Sequence, residues 1–299
     1  MNALFYRDMT MKFALFLGCN IPVRVQHYEL SARAVLDKLG IEVVDDSEFK
    51  CCGNPIRNAD NKTFVLMAAR NLALAEKKGL DMMVLCKCCL GSLKKAAHLM
   101  KHNPSIQEEV NAALAKEELR YTGSTGVKHL LSVLYHDIGI QALREKVTKP
   151  FKGIRIATHY GCHALRPSDV TEFDNPVAPV LFDELVTVTG ALSIDWPLKL
   201  ECCGAPLLGV NDGLSMDLTE RKLADGKRAG ADYLCVACPY CQMQFGRVQQ
   251  IMAFQRNMEI SILSILFPQL LGLAMGIEGK ALGMDRHVLD VSSIQSFLE

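Results

Sequence analysis

The sequence predicts an α/β protein made by tandem duplication, two units each holding a small parallel sheet flanked by helices. Three observations predict it. A cysteine pattern is written twice: Cys19, Cys51-Cys52-Gly53, Cys86-x-x-Cys89, and then Cys162, Cys202-Cys203-Gly204, Cys238-x-x-Cys241. Short apolar runs alternate with stretches of helical periodicity in both halves. A length of 299 residues, 49% of them hydrophobic, supports two domains of roughly 150 residues each.

The repeat extends beyond the thiols. The gaps are 31 and 33 residues in the first half and 39 and 34 in the second. Phe13-Ala14-Leu15-Phe16-Leu17-Gly18-Cys19 answers Ile156-Ala157-Thr158-His159-Tyr160-Gly161-Cys162, and Cys-Cys-Gly-x-Pro recurs ending at Pro55 and Pro206. Arg70-Asn71-Leu72 and Gly79-Leu80-Asp81 reappear 151 positions later as Arg221-Lys222-Leu223 and Gly230-Ala231-Asp232. Self-similarity of this kind marks an internal tandem.

In the first half, residues 12–17 read as a strand, 23–39 as a helix stopped by Gly40, and 41–44 as a second strand. Residues 61–78 form a long helix closed by Gly79, and 82–85 a third strand that delivers Cys86. Residues 105–147 are helix-rich, with a turn at 121–126. The stretch Pro150-Phe151-Lys152-Gly153 is the expected boundary, dividing domains 11–150 and 151–299. The second half repeats the scheme, with strands at 154–158 and 233–237 and helices at 179–189, 214–228 and 242–256. Cysteines thereby fall at strand ends, where loops collect on one edge of a parallel sheet. Residues 260–277 carry no charge over 18 positions, near the lower limit for a membrane span. Pro268, Gln269 and Ser264 interrupt the run, which is therefore expected as two buried helices broken at Pro268.

Lys plus Arg and Asp plus Glu both number 33, so no basic field argues for nucleic acid or an anionic membrane. Residues 1–10 lack a long apolar core and read as neither signal nor transit peptide, which makes the expected location cytoplasmic. There, 12 cysteines do not form a disulfide scaffold, because thiols stay reduced and a core of this size needs no staples.

Metal ligation is the remaining common use of so many thiols. A CxxC pair grips one metal centre, and adjacent cysteines reach neighbouring metal atoms if the backbone turns sharply, as Gly53 and Gly204 allow. Zinc sites close with four ligands and the cubane iron–sulfur cluster also takes four. Five thiols per half leave either a larger multinuclear cluster or one spare thiol. Cys88 and Cys235 lie outside the pattern, and Cys235, in a strand, suits a small buried hydrophobe.

The doubled pattern, with Phe16-Leu17-Gly18-Cys19-Asn20-Ile21-Pro22, Tyr160-Gly161-Cys162-His163-Ala164-Leu165-Arg166-Pro167 and Ala237-Cys238-Pro239-Tyr240-Cys241, resembles the CCG-domain iron–sulfur proteins and, over residues 11–275, the family of heterodisulfide reductase B subunits. The resemblance implies a tandem of CCG-type α/β units holding two non-cubane [4Fe-4S] clusters. One would be held by Cys19, Cys51, Cys52, Cys86 and Cys89, the other by Cys162, Cys202, Cys203, Cys238 and Cys241. Third gaps shorter than the family's, and the extra Cys88, are departures that bear on the ligand choice within residues 86–89. The resemblance further implies cleavage or formation of a disulfide substrate between the clusters. Its implied partners are a small subunit with cubane clusters and a flavin-containing subunit.

His163 directly follows one of these cysteines and is a candidate proton donor to a departing thiolate, because an ordinary imidazole titrates near operating pH. His159 reads as a satisfied core histidine, His27 as a surface or interface residue, Lys87 and Arg166 as solvated charges, and Lys77-Lys78 and Lys94-Lys95 as solvated helix faces. Thr122-Gly123-Ser124-Thr125-Gly126 has phosphate-loop composition without a Walker lysine, and no Gly-x-Gly-x-x-Gly follows the first strand, so electrons are expected from a partner. The sequence thus supports a catalytic iron–sulfur chain of a disulfide reductase. Its alternatives are an electron-relay CCG subunit of a glycolate, lactate or succinate oxidation system, and a zinc-stabilised scaffold.

Overall fold

The computed structural model describes residues 11–260 and 262–299, so the expectation for residues 1–10 lies outside it. Among the described residues, eight strands form two four-stranded sheets, parallel throughout and identical in order. The first runs β2-β1-β3-β4, from β1 (Lys12–Phe16), β2 (Glu42–Val44), β3 (Asp81–Val84) and β4 (Val127–His129). The second runs β6-β5-β7-β8, from β5 (Arg155–His159), β6 (Leu192–Ile194), β7 (Tyr233–Val236) and β8 (Leu263–Leu266). Phe13 pairs with Asp81 in one sheet and Ile156 with Tyr233 in the other. The duplication is therefore one of topology as well as of sequence.

Helices cover the sheets because parallel strands are joined by crossovers, and the central strands are buried as a result. The paired long helices Asn61–Lys77 and Asp212–Arg228 are both 17 residues and start on equivalent caps. Asp60 accepts from the Thr63 N–H and Asn211 from the Leu214 N–H, each at 3.0 Å, satisfying an orphan donor of the first turn.

Several elements differ from the sequence reading. Residues 260–277 hold β8 followed by one helix, Phe267–Ala274, so the expectation of two helices is corrected. Pro268 lies in that helix's first turn, where its missing N–H breaks no intrahelical bond, so it opens the helix rather than kinking it. Every residue of the helix is buried, and it packs on Gln26–Lys38 of the first half. The expected helix over 23–39 is two, Ile21–Arg24 and Gln26–Lys38, separated at Val25, whose φ of −139° is not helical. Lys94-Lys95 lie on a helix as expected, one that spans Lys87–His102, whereas the short edge strands β4 and β6 are additional to the sequence reading.

One continuous apolar core joins both sheets. The C-terminus returns to the connection between them, where Leu298 forms an antiparallel bridge with Phe151 and the Glu299 N–H donates to the Pro150 carbonyl at 3.1 Å. In the turn at 122–126, Glu76 accepts from the N–H groups of Thr122 and Gly123, each at 2.7 Å, and from those of Ser124 and Thr125. The loop that resembles a phosphate cradle thus encloses a carboxylate of its own chain. Among the described residues no helix is long and apolar enough to cross a membrane.

Candidate functional site

Both thiol sets sit on the carboxyl edges of their sheets. Cys19 and Cys162 follow β1 and β5, Cys86 and Cys238 follow β3 and β7, and the Cys-Cys pairs lie in the loops after β2 and β6. Gly53 and Gly204 have φ of +80° and +94°, which L side chains rarely adopt. The packing there is closed too: an added Cβ would meet the Phe64 carbonyl oxygen at 3.1 Å and the Ser215 carbonyl oxygen at 2.5 Å. The loops are held from the same helix positions 151 residues apart. Asn71 accepts from the Lys50 N–H at 2.8 Å and donates to the Cys51 carbonyl at 3.3 Å, while Lys222 donates to the Leu198 carbonyl.

All 12 cysteines are free. Cys51 Sγ lies 3.9 Å from Cys19 Sγ. Hydrogen bonding from Cys19 and then Cys52 and the Gly53 N–H pushes the Cys51 thiol down to about 2, and Cys202 falls to about 2 for the matching reasons, bonds from Cys162, Cys203 and the Gly204 N–H. Their neighbours Cys52 and Cys203 are pushed up to about 12, because each bonds to the adjacent thiolate. In the second set Cys238 is lowered as well, chiefly by hydrogen bonds from Cys241 and then Cys86 and Cys88, so closely packed thiols shift one another in both units.

The two sets meet. Sγ atoms of Cys86 and Cys88, from one unit, and Cys238, from the other, lie within 4.8 Å of one another. A second group, equally compact, comprises a ring nitrogen of His159 with Sγ of Cys203 and Cys241. Free thiols that converge from three loops per unit have the chemistry of an iron–sulfur donor set, so the residues present fit such a group.

A cleft of about 370 Å³ opens between the units. Arg57, Lys87 and Cys88 reach it from the first unit, and His163, Cys202 and Cys241 from the second. The space beside the first thiol set is much smaller, about 10 Å³. His163 Nδ1 is 2.9 Å from Cys88 Sγ and its Nε2 is 3.4 Å from an Arg57 guanidinium nitrogen. Burial, and then Arg57, lowers the pKa of this imidazole.

Cys235 is fully buried as expected, whereas Cys88 faces both His163 and Cys238. Lys87 is buried rather than solvated, its Nζ donating across the units to the carbonyls of Tyr160 at 2.8 Å and His159 at 3.1 Å. Lys94 also crosses, to the Thr171 carbonyl at 2.7 Å, while Arg166 is exposed. His27 is buried against His287, with ring centroids 4.6 Å apart. His159 is the most consequential correction: it is fully buried, yet neither ring nitrogen has a hydrogen-bond partner. The sequence signal for it was the mismatch with Phe16 in the aligned strands.

Comparison with known proteins follows the same lines. The CCG family, described as a cysteine-rich domain, matches residues 13–94 and 156–246. The chain is 36% identical to the B subunit of the ferredoxin/F(420)H(2)-dependent CoB-CoM heterodisulfide reductase of Methanosarcina acetivorans, over 93% of this chain and 94% of that protein. It is 30% identical to the 8-methylmenaquinol:fumarate reductase membrane anchor subunit of Wolinella succinogenes, over 96% of this chain and 100% of the relative. A crystal structure of a hypothetical protein from Helicobacter pylori shares the fold with a TM-score of 0.75 at 21% identity, covering 95% of this chain and 53% of that one. With its doubled thiol loops, its parallel sheets and whole-length relatives among reductase subunits, the chain belongs to the family of heterodisulfide reductase B subunits within the CCG cysteine-rich proteins.

Proposed function

We propose that this chain is the iron–sulfur catalytic subunit of a heterodisulfide reductase-like complex and reduces, or in reverse forms, a disulfide in the cleft between its two units. The observation that carries this reading is the meeting of Cys86, Cys88 and Cys238 beside a cleft lined by cysteines of both halves and by His163. In this reading the domains are 11–150 and 151–299. Cys19, Cys51, Cys52, Cys86 and Cys89 hold one non-cubane [4Fe-4S] cluster, and Cys162, Cys202, Cys203, Cys238 and Cys241 hold the other. Two such groups supply the two single-electron transfers that a disulfide requires.

The residues around the cleft do the rest. Reduction consumes two electrons and two protons, breaks the S–S bond and releases two thiols. His163 delivers one proton to a departing thiolate, and solvent entering the cleft delivers the other. Arg57 and the cleft wall orient the substrate, and Lys87 holds the ends of the two units together. Electrons come from partners of the kind the family implies, a small subunit with cubane clusters and a flavin-containing subunit, in the cytoplasm.

Iron analysis of anaerobically purified protein tests the ligand assignment: two four-iron groups give about eight iron atoms per chain. About four, or a colourless zinc protein, sinks it. Adding a thiol or disulfide should also perturb the paramagnetic spectrum. The fumarate reductase relative supports a second reading, electron relay without disulfide chemistry, and a spectrum indifferent to every thiol tried would favour that reading.

A further inference from the structure

The duplication fails at one buried position beside the second thiol set. Phe16 and His159 occupy the same place in β1 and β5, three residues before Cys19 and Cys162. Both are fully buried. Each packs edge-on against a phenylalanine, Phe16 against Phe49 at 5.4 Å and His159 against Phe245 at 5.1 Å. Packing alone therefore does not require the imidazole, since a phenyl ring meets the same demand in the other unit.

What distinguishes His159 is its polarity and where that polarity is directed. Its ring carries two nitrogens with no protein partner, and a ring nitrogen lies within 4.8 Å of Cys203 Sγ and Cys241 Sγ. Buried polar atoms are nearly always paired, and an unpaired one asks for a missing partner. Imidazole carries at least one N–H in either protonation state. The backbone carbonyl of His159 is already held by Lys87, which fixes the strand end and hence the ring's position.

We propose that His159 donates an N–H hydrogen bond to a sulfur atom of the iron–sulfur group held by Cys162, Cys202, Cys203, Cys238 and Cys241, and thereby sets that centre's reduction potential above that of the first centre, where Phe16 offers no donor. The inference rests on the proposed assignment of the ten thiols. Hydrogen bonds to cluster sulfurs are a principal control of potential, because they stabilise the more negatively charged, reduced state. The consequence is directional. An electron shared between the centres settles on the second, which opens to the cleft, so the first serves as the entry side.

The test is a potentiometric titration of the iron-loaded chain followed by electron paramagnetic resonance, comparing wild type with His159→Phe, which copies the first unit. One reduction step should shift to lower potential while the other stays in place, with iron per chain unchanged. His159→Gln, which retains an N–H donor, should restore part of the shift. In wild type labelled with nitrogen-15 histidine, a weak hyperfine coupling to a single ring should appear. Unmoved potentials in His159→Phe overturn the proposal, as does the absence of histidine coupling in wild type. A strong coupling with loss of iron in the variant also overturns it, by making His159 a ligand. Wild-type protein that binds no iron defeats the thiol assignment itself, a result separable from an iron-loaded protein whose potentials do not respond.

Discussion

The two units keep the same apparatus for presenting thiols and differ where they face each other. Their shared parts are the left-handed glycines Gly53 and Gly204, the capped helices Asn61–Lys77 and Asp212–Arg228, and the low-pKa thiols Cys51 and Cys202. Several differences lie at the seam. Lys87 and Cys88 stand where the second unit has Pro239 and Tyr240, Arg57 answers Leu208, and Phe16 answers His159. The first unit reaches across the seam with Lys87 and Arg57, and the cleft of about 370 Å³ opens beside the second thiol set, against about 10 Å³ beside the first.

The comparison can be broken most directly at the thiols. Cys52→Ser and Cys203→Ser should each remove about half of the iron, roughly four atoms per chain, leaving the other centre's spectrum intact. Loss of all iron from either variant would show that the centres form together and that the two-unit description is wrong.

The seam is probed next by His163→Gln. It should lower disulfide turnover by about a hundredfold with iron content unchanged, the typical contribution of a positioned proton donor. Full activity would assign His163 to the cleft wall instead.

Gly53→Ala and Gly204→Ala compare the two turns. Both meet a positive-φ cost of about 1–2 kcal/mol, but Gly204→Ala also drives a Cβ into the Ser215 carbonyl at 2.5 Å, against 3.1 Å to the Phe64 carbonyl in the first unit. Thermal melts should rank Gly204→Ala as the less stable variant. Equal losses would mean that the second turn relaxes and that the two loops are interchangeable.

The smallest effect concerns the histidine pair away from the thiols. Burial, and then Arg286, lowers His27 to about 4; burial, and then His27, lowers His287 to about 3. Unfolded histidine titrates at about 6.5, so between these values the unfolded chain binds more protons than the folded one. Stability is complete above about pH 6.5 and declines as pH falls toward 4. Melting temperature should drop from pH 7 to pH 5, and His27→Leu should flatten the slope. An unchanged slope would place the acid sensitivity elsewhere.

Much of this was legible in the sequence because the duplication served as its own control. Strand, helix and cysteine loop could be checked against a second copy, and the helix over residues 61–78 was located to within a residue of Asn61–Lys77. Where the copies diverge, that control vanished. Strand β6, Leu-Ser-Ile, has a polar centre where its equally short counterpart β2 ends on two valines, and β4 reads Val-Lys-His, so neither carries a clear apolar run. β8 hid in an apolar run whose period fits strand and helix equally, and Pro268 reads as a breaker until its place in the first turn is known. Cys88, Lys87 and His159 owe their settings to contacts between units 72 or more positions apart, which no local pattern encodes.

The same long-range contacts bear on inheritance. An ammonium group from one half rests on the carbonyls of His159 and Tyr160 in the other, and the helix Phe267–Ala274 lies with all its residues buried, packed on Gln26–Lys38. A gene split at the connection would yield two fragments, each exposing an apolar face made for the other. A chain built by repeating one module has thus made its halves depend on each other, through Lys87 and through the buried helix Phe267–Ala274.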